Sequence, residues 1–362
     1  MELRVLILAL LLALAWSCAA GQDPPPAAEE SAMSTRYSLA VIDDATFFSG
    51  QPEYQPQVLN QVLLEPTFDL RYRSRLTFST SLIGLTATYH DTASTGRIKE
   101  TYVGLSAGDF DFTAGRKMVR WGTGYAFTAA GVLDPPRIPT NPSDRLNTNQ
   151  GRDMIKADWV RGQHALTFAW STAAFAPAHS TQRDTTAFRY NVLVRGFDTS
   201  LIAGHDRGED TFGGLTFTRV VGQAWEVHGE AVWREQAALL LGAKYTLHSG
   251  VSFIGEFYAP PNTPYFRDAS VSPLAGRQHY ALFYVSKSRL RELPGWKEWD
   301  VSASIVSNLD DHSSVTVMDA SRWFGTHFTS YVHLELPRGR GTSDFGSAGH
   351  DAATSVGVRF HL

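Results

Sequence analysis

Glu226-x-His228-x-Glu230 sets two carboxylates around an imidazole at a spacing of two residues. On an extended strand that spacing turns all three to one face, where they could bind a metal ion or support a histidine base. Plain strand alternation produces the same spacing, so the trio alone does not call for catalysis. The sequence holds no His-Glu-x-x-His pair and no glycine-rich phosphate loop. His164, His205 and His312 stand near turns, and Gly213-Gly214 interrupts a strand pattern where a neighbour packs closely or the sheet bends. The expectation is a chain with no catalytic residue, no metal and no cofactor.

What remains is a set of charges that alternate with apolar residues: Lys156, Asp158, Arg189, Arg195, Glu226, His228, Glu230, Lys244, Glu256, His333, Glu335, Arg359 and His361. Both signs occur. They read either as a solvated wall stapled by ion pairs or as opposed charged rows that select solutes. Arg116, Lys117 and Arg120 stand at the end of one strand pattern as a possible basic patch for anionic solutes, although Met118 and Val119 blur the phase there.

The elements that carry these charges alternate with period two in segments of about ten residues. Phe68, Leu70 and Tyr72 alternate with Asp69, Arg71 and Arg73; Trp225, Val227, Gly229, Ala231 and Trp233 alternate with Glu226, His228 and Glu230. No long segment repeats its apolar residues at three and four. Tight connections (Ala107-Gly108-Asp109, Arg161-Gly162-Gln163, Gly196-Phe197-Asp198, His248-Ser249-Gly250) take turns with long ones (Gly122–Gln150, Ser171–Thr186, Ala259–Gln278, Pro337–His350). Short turns on one rim and long loops on the other describe an all-β, antiparallel, up-and-down transmembrane β-barrel. Counting from the strand that ends at His90 gives about sixteen strands, with fourteen to eighteen as bounds, because both termini fall on the periplasmic rim. Trp225 and Trp233 lie roughly 20 Å apart along a tilted strand, close to the separation of two aromatic girdles. A secreted soluble β-protein is the remaining alternative.

The N-terminus fits export. Met-Glu-Leu-Arg precedes an apolar run from Val5 to Trp16, then Ser-Cys-Ala-Ala-Gly, which reads as a signal peptide over 1–20. Cleavage after Ala20 and acylation at Cys18 both remain open, with Trp16 a poor fit to a lipoprotein box. Residues 21–60 are expected to be a flexible periplasmic segment and 61–362 the barrel, with 36–63 ambiguous and a short strand possible near Tyr37–Ile42. Elsewhere no apolar run reaches the roughly 20 residues of a membrane helix. The mean hydropathy of −0.18 is still compatible with strands that average a lipid face and a water face. A formal charge of −4 gives no reason to expect nucleic acid as a partner.

The final strand, Asp351–Leu362, places Val356, Val358, Phe360 and Leu362 on one face and stops on an apolar residue. It resembles the terminal strand of Gram-negative outer-membrane proteins, with Leu362 where the family most often has Phe. That likeness implies recognition by the barrel-assembly machinery. A second stretch, Gly115-Arg-Lys-Met-Val-Arg-Trp-Gly-Thr-Gly-Tyr125 followed by Asp134-Pro-Pro-Arg-Ile-Pro-Thr-Asn-Pro-Ser-Asp144, resembles a strand-to-loop signature of porin-like barrels, including alginate-export-type ones. The resemblance implies a non-enzymatic porin-type channel in the outer membrane, with outer-membrane lipid and small solutes as its partners and passive diffusion through a polar lumen. Trp121, Gly122, Gly124, Tyr125, Asp134, Arg137, Asp144 and Arg145 are the candidates for a loop that narrows the pore, as against a cap on the surface. Gly122 and Gly124 are expected to let the chain turn sharply, and the prolines to stiffen the loop. The alternative is a non-conducting barrel that binds, assembles or modifies surface glycan or lipid. Oligomeric state is not legible.

Overall fold

The computed structural model describes residues 33–50, 57–73, 75–89, 91–135, 137–140, 145–174, 183–208, 211–234, 236–260, 279–290 and 295–362. Residues 1–20, read as a signal peptide, and Asp144 lie outside them. Eighteen strands follow in order: β1 Met33–Ser49, β2 Val58–Tyr72, β3 Leu76–Thr88, β4 Thr92–Ala107, β5 Phe110–Lys117 and β6 Arg152–Arg161. Then come β7 His164–Thr172, β8 Thr185–Val194, β9 Phe197–Asp206, β10 Thr211–Val221, β11 Trp225–Trp233 and β12 Ala237–Thr246. The last are β13 Val251–Ala259, β14 Tyr280–Lys287, β15 Trp299–Asn308, β16 Ser313–Phe324, β17 Phe328–Arg338 and β18 Ala352–His361.

Each strand pairs antiparallel with its neighbours in sequence, and β1 pairs with β18 from Ala40↔His361 to Ser49↔Ala352. The sheet therefore closes on itself and, along that seam, leaves no edge. Side chains obey the pleat. On β11, Trp225 and Trp233 are exposed on the outer face, while His228, Glu230 and Val232 between them are buried on the inner one. Outer positions elsewhere are apolar and exposed, among them Leu201, Leu215, Leu241, Phe283, Val356 and Val358. Inner positions include the buried Asp44, Glu256, His333 and Ser355.

Turn chemistry sets the short rim. Gly108, Gly162, Gly196 and Gly250 all adopt positive φ, between 61° and 80°, at the predicted tight connections, a backbone region that costs glycine little.

Eighteen strands lie at the upper bound of the fourteen to eighteen expected. One expectation needs correction: the sixteen strands counted from the His90 hairpin are β3 to β18, and the barrel adds β1 and β2 before them. It thus begins at Met33 rather than at 61, and residues 33–49, assigned to a flexible lead, supply the closing strand. β1 and the first half of β2 were hard to see because apolar runs such as Ala40-Val41-Ile42 and Val62-Leu63-Leu64 fill both faces, whereas the end of β2, Phe68–Tyr72, alternates cleanly. Ile42 and Leu63 are buried inside, while Leu64 is exposed outside.

Candidate functional site: a loop held across the lumen

The chain between β5 and β6 is described at residues 118–135, 137–140 and 145–151. It packs on inward residues of the wall, and its backbone shows how it is held. Glu230, on the inner face of β11, takes six hydrogen bonds from it. One carboxylate oxygen accepts from the Thr123 N–H, the Thr123 hydroxyl at 3.1 Å and the Gly124 N–H at 2.9 Å. The other accepts from the Thr128 hydroxyl at 3.0 Å and the N–H groups of Ala129 and Ala130 at 2.6 and 2.7 Å. Glu256 on β13 accepts from the N–H groups of Tyr125, Ala126 (2.9 Å) and Phe127 (3.4 Å), and lies 3.0 Å from His228 Nε2. A carboxylate buried in a wall is tolerable only when donors saturate it, and here the loop backbone provides them.

Glycine is needed at 122 and 124 for this approach: neither residue has positive φ, but the chain folds back on itself so closely that a side chain has no room. A Cβ on Gly124 would meet the Phe127 carbonyl at 2.4 Å, Leu240 at 2.6 Å and Glu256 at 3.3 Å. One on Gly122 would meet the Thr128 hydroxyl at 1.9 Å.

Apolar side chains wedge the same segment. Phe127 stacks on Tyr258 at 5.1 Å and packs with Leu240, Ile254 and Leu282. Trp121, Val132 and Leu133 pack with Ile202, Phe212 and Val232 on the adjoining wall. Asp134 closes the loop on itself by accepting from the N–H groups of Trp121 (2.6 Å) and Gly122 (3.2 Å); Arg137 donates to the Gly122 carbonyl at 3.0 Å. Burial raises the Asp134 carboxyl above its ordinary range, against the lowering effect of the Trp121 N–H, the Arg137 charge and the Gly122 N–H.

Further along, the loop reaches the far wall. Arg145 sits 3.6 Å from Asp44 of β1, and its carbonyl accepts from Arg359 of β18 at 2.8 Å. Tyr331 of β17 donates to the same Asp44 at 2.8 Å. On a ring of eighteen strands, β1 and β11 stand nearly opposite. The loop crosses the lumen.

Beside it lies a cavity of about 330 Å³ lined by the cations Arg120, Arg137 and Lys244 and one anion, Asp134, which lies 3.7 Å from Arg137; Tyr125, Ile254 and Tyr284 also line it. Lys244 donates to the Tyr125 hydroxyl at 3.3 Å, and Tyr125 donates to Glu226 at 3.1 Å. Burial, with Glu226 adding to it, pushes the Tyr125 hydroxyl upward.

The remaining predicted residues are scattered. Lys156 pairs with Asp158, which also accepts from Thr167, and Arg189 donates to Ser200 at 2.9 Å, all on the inner face of β6 to β9. His333 lies 2.8 Å from Asp319 and 4.0 Å from Glu335. Lys117 sits over the Tyr102 ring at 4.1 Å. Two do not line the lumen. Arg195 is exposed in the β8–β9 turn with φ of 50°. Arg116 shares the strand parity of the exposed Phe110 and Phe112 and pairs with Asp153 at 2.7 Å; Gly115 before it takes φ of 123° where the Thr101 carbonyl leaves no room for a side chain. Val356, Val358 and Phe360 share the outer face, and Leu362 exchanges backbone hydrogen bonds with Leu39. No cluster among the described residues could hold a metal.

Asp44, Glu65 and Lys99 were not anticipated. The Glu65–Lys99 pair at 2.7 Å forms where β4 bulges against Ser81/Leu82 and an extra residue turns inward. Gly104-x-Ser106-x-Gly108 has the spacing of a nucleophile elbow, but it closes the β4–β5 hairpin, with Ser106 donating to Asp111.

No protein-family model matches the sequence, and no curated protein matches it. Solved structures match the fold. Pseudomonas aeruginosa OpdL aligns with a TM-score of 0.64 at 10% identity, over 91% of this chain and 98% of that one. OpdK solved with vanillate gives 0.63 at 8% identity over the same shares, and OccK5 (OpdH) gives 0.60 at 9%, again over 91% and 98%. The likeness is to barrels of this kind and lends no support to an alginate-export-type family.

Proposed function

We propose that the barrel spans the outer membrane of a Gram-negative bacterium and passes small solutes by passive diffusion through a lumen narrowed by residues 118–151. The single observation that carries this reading is the loop itself. Polar wall carboxylates draw it across the lumen, and a cation-lined cavity lies beside it. A barrel built only for anchorage has no use for an inner wall that binds a loop so specifically. The exposed apolar outer face supplies the lipid contact, and an exported precursor with its assembly signal at Val356, Val358, Phe360 and Leu362 is the matching biogenesis.

Arg120, Arg137 and Lys244 next to Tyr125 and Tyr284 favour small anionic solutes with an apolar body. A similar barrel, OpdK, was solved with vanillate, a molecule of that chemistry. Liposome swelling with graded sugars and aromatic carboxylates, together with planar-bilayer recording, tests the proposal. Proteoliposomes that neither swell nor conduct, although heat-modifiable migration shows a folded barrel, would leave the non-conducting alternative in its place.

A further inference from the structure

Outward cations are scarce on this barrel, and at the short-turn rim three guanidinium groups lie on aromatic rings. Arg73 sits 5.2 Å from the Tyr72 centroid, Arg219 is 4.5 Å from Phe197, and Arg322 is 4.8 Å from Phe324 and 6.0 Å from Trp299. The Arg322 arrangement is the most developed. Trp299 and Arg322 are direct register partners on β15 and β16, and Trp296 packs on Trp299 at 5.1 Å. Arg322 and Phe324 are exposed, and Arg322 makes no hydrogen bond or ion pair with any described residue. Asp300, on the neighbouring strand, is already engaged by the Trp323 indole N–H and the Arg289 N–H, each at 2.7 Å. The guanidinium is thus held against aromatic faces while its donor edge stays open.

Above this seat the outer wall is shaped for a chain. Val301 pairs with Ala320 and Ala303 with Met318, so the outer face above the seat is wholly apolar, low at Val301 and Ala320 and flanked by exposed Met318, Ile305 and Phe283 further up. An open guanidinium fork at an aromatic girdle, below an apolar face, complements a phosphodiester with an acyl tail. We infer that Arg322, Trp299 and Phe324 form a headgroup seat for an anionic phospholipid of the periplasmic leaflet. The inference rests on the membrane-spanning reading above. The phosphate takes the open donor edge of Arg322, and the acyl chain runs up the face at Val301 and Ala320.

The test is native mass spectrometry of the full barrel released from nanodiscs of equal parts phosphatidylglycerol and phosphatidylethanolamine. The wild-type barrel is expected to retain phosphatidylglycerol preferentially. Arg322→Gln should cut that retention by at least about tenfold, the effect of one hydrogen bond to a charged group. Trp299→Leu, which keeps the charge, should lower it less. Equal retention of the two lipids by the wild type, or unchanged retention in Arg322→Gln, overturns the seat. Heat-modifiable migration of each protein reports separately on the barrel, so a failed membrane reading shows itself there first.

Discussion

Glu230→Gln is the most incisive perturbation of the loop. The substitution keeps the size of the side chain and turns one oxygen into an NH2 group. Three loop donors point at each oxygen, so either amide orientation sets an NH2 against three of them. A hydrogen bond to a charged group contributes about 1.5–3 kcal/mol, so losing the two backbone N–H bonds at one oxygen costs about 3–5 kcal/mol. Glu256 and the Phe127 wedge still hold the neighbouring residues, so the barrel stays closed while the segment Thr123–Ala130 loosens. At about 4 kcal/mol the docked state loses nearly three orders of magnitude in population relative to the released one, with 1.4 kcal/mol to each factor of ten. Single-channel recording should show a larger, noisier conductance than wild type. Limited proteolysis should cut within 123–130 while heat-modifiable migration is unchanged. Asp158→Asn, on the inner wall and engaged by Lys156 and Thr167 rather than by the loop, is the control. Wild-type conductance, noise and protease resistance in Glu230→Gln would refute the idea that this carboxylate positions the loop.

Three further outcomes follow from the same geometry. Gly124→Ala places a methyl 2.4 Å from the Phe127 carbonyl and should destabilise the docked loop by about 1–3 kcal/mol, read as faster amide exchange at 123–130. Val358→Arg puts a charge on the exposed outer face and should lower barrel stability by about 2–4 kcal/mol if that face meets the bilayer midplane, measured as a shift in urea midpoint in lipid; no shift argues against lipid contact there. Asp184, in the loop between β7 and β8, is held below the ordinary carboxylate range by the Ala173 N–H first, then by Arg207 and the Thr172 hydroxyl. Its folded value is depressed, so its contribution is present above the unfolded value of about 3.9 and is lost as pH falls through the lower folded one. Exchange protection of the Ala173 amide should therefore survive to about that pH and vanish below it.

Local spacing was enough to tell which side chains face outward and which face the lumen wherever alternation was clean. The parity of Trp225, His228, Glu230 and Trp233 was legible because burial repeats every second residue along a strand, a local property written in local spacing. Tight turns at Gly108, Gly162, Gly196 and Gly250 were legible for the same local reason. Where both faces are apolar, as in Val62-Leu63-Leu64, the period disappears, and β1 and the first half of β2 with it. Only the tertiary structure decided who holds the loop. Glu230 and Gly124 are 106 residues apart, and Asp44 and Tyr331 are 287 apart. Such partners meet through the closure and stagger of the whole ring, which no short window of residues encodes.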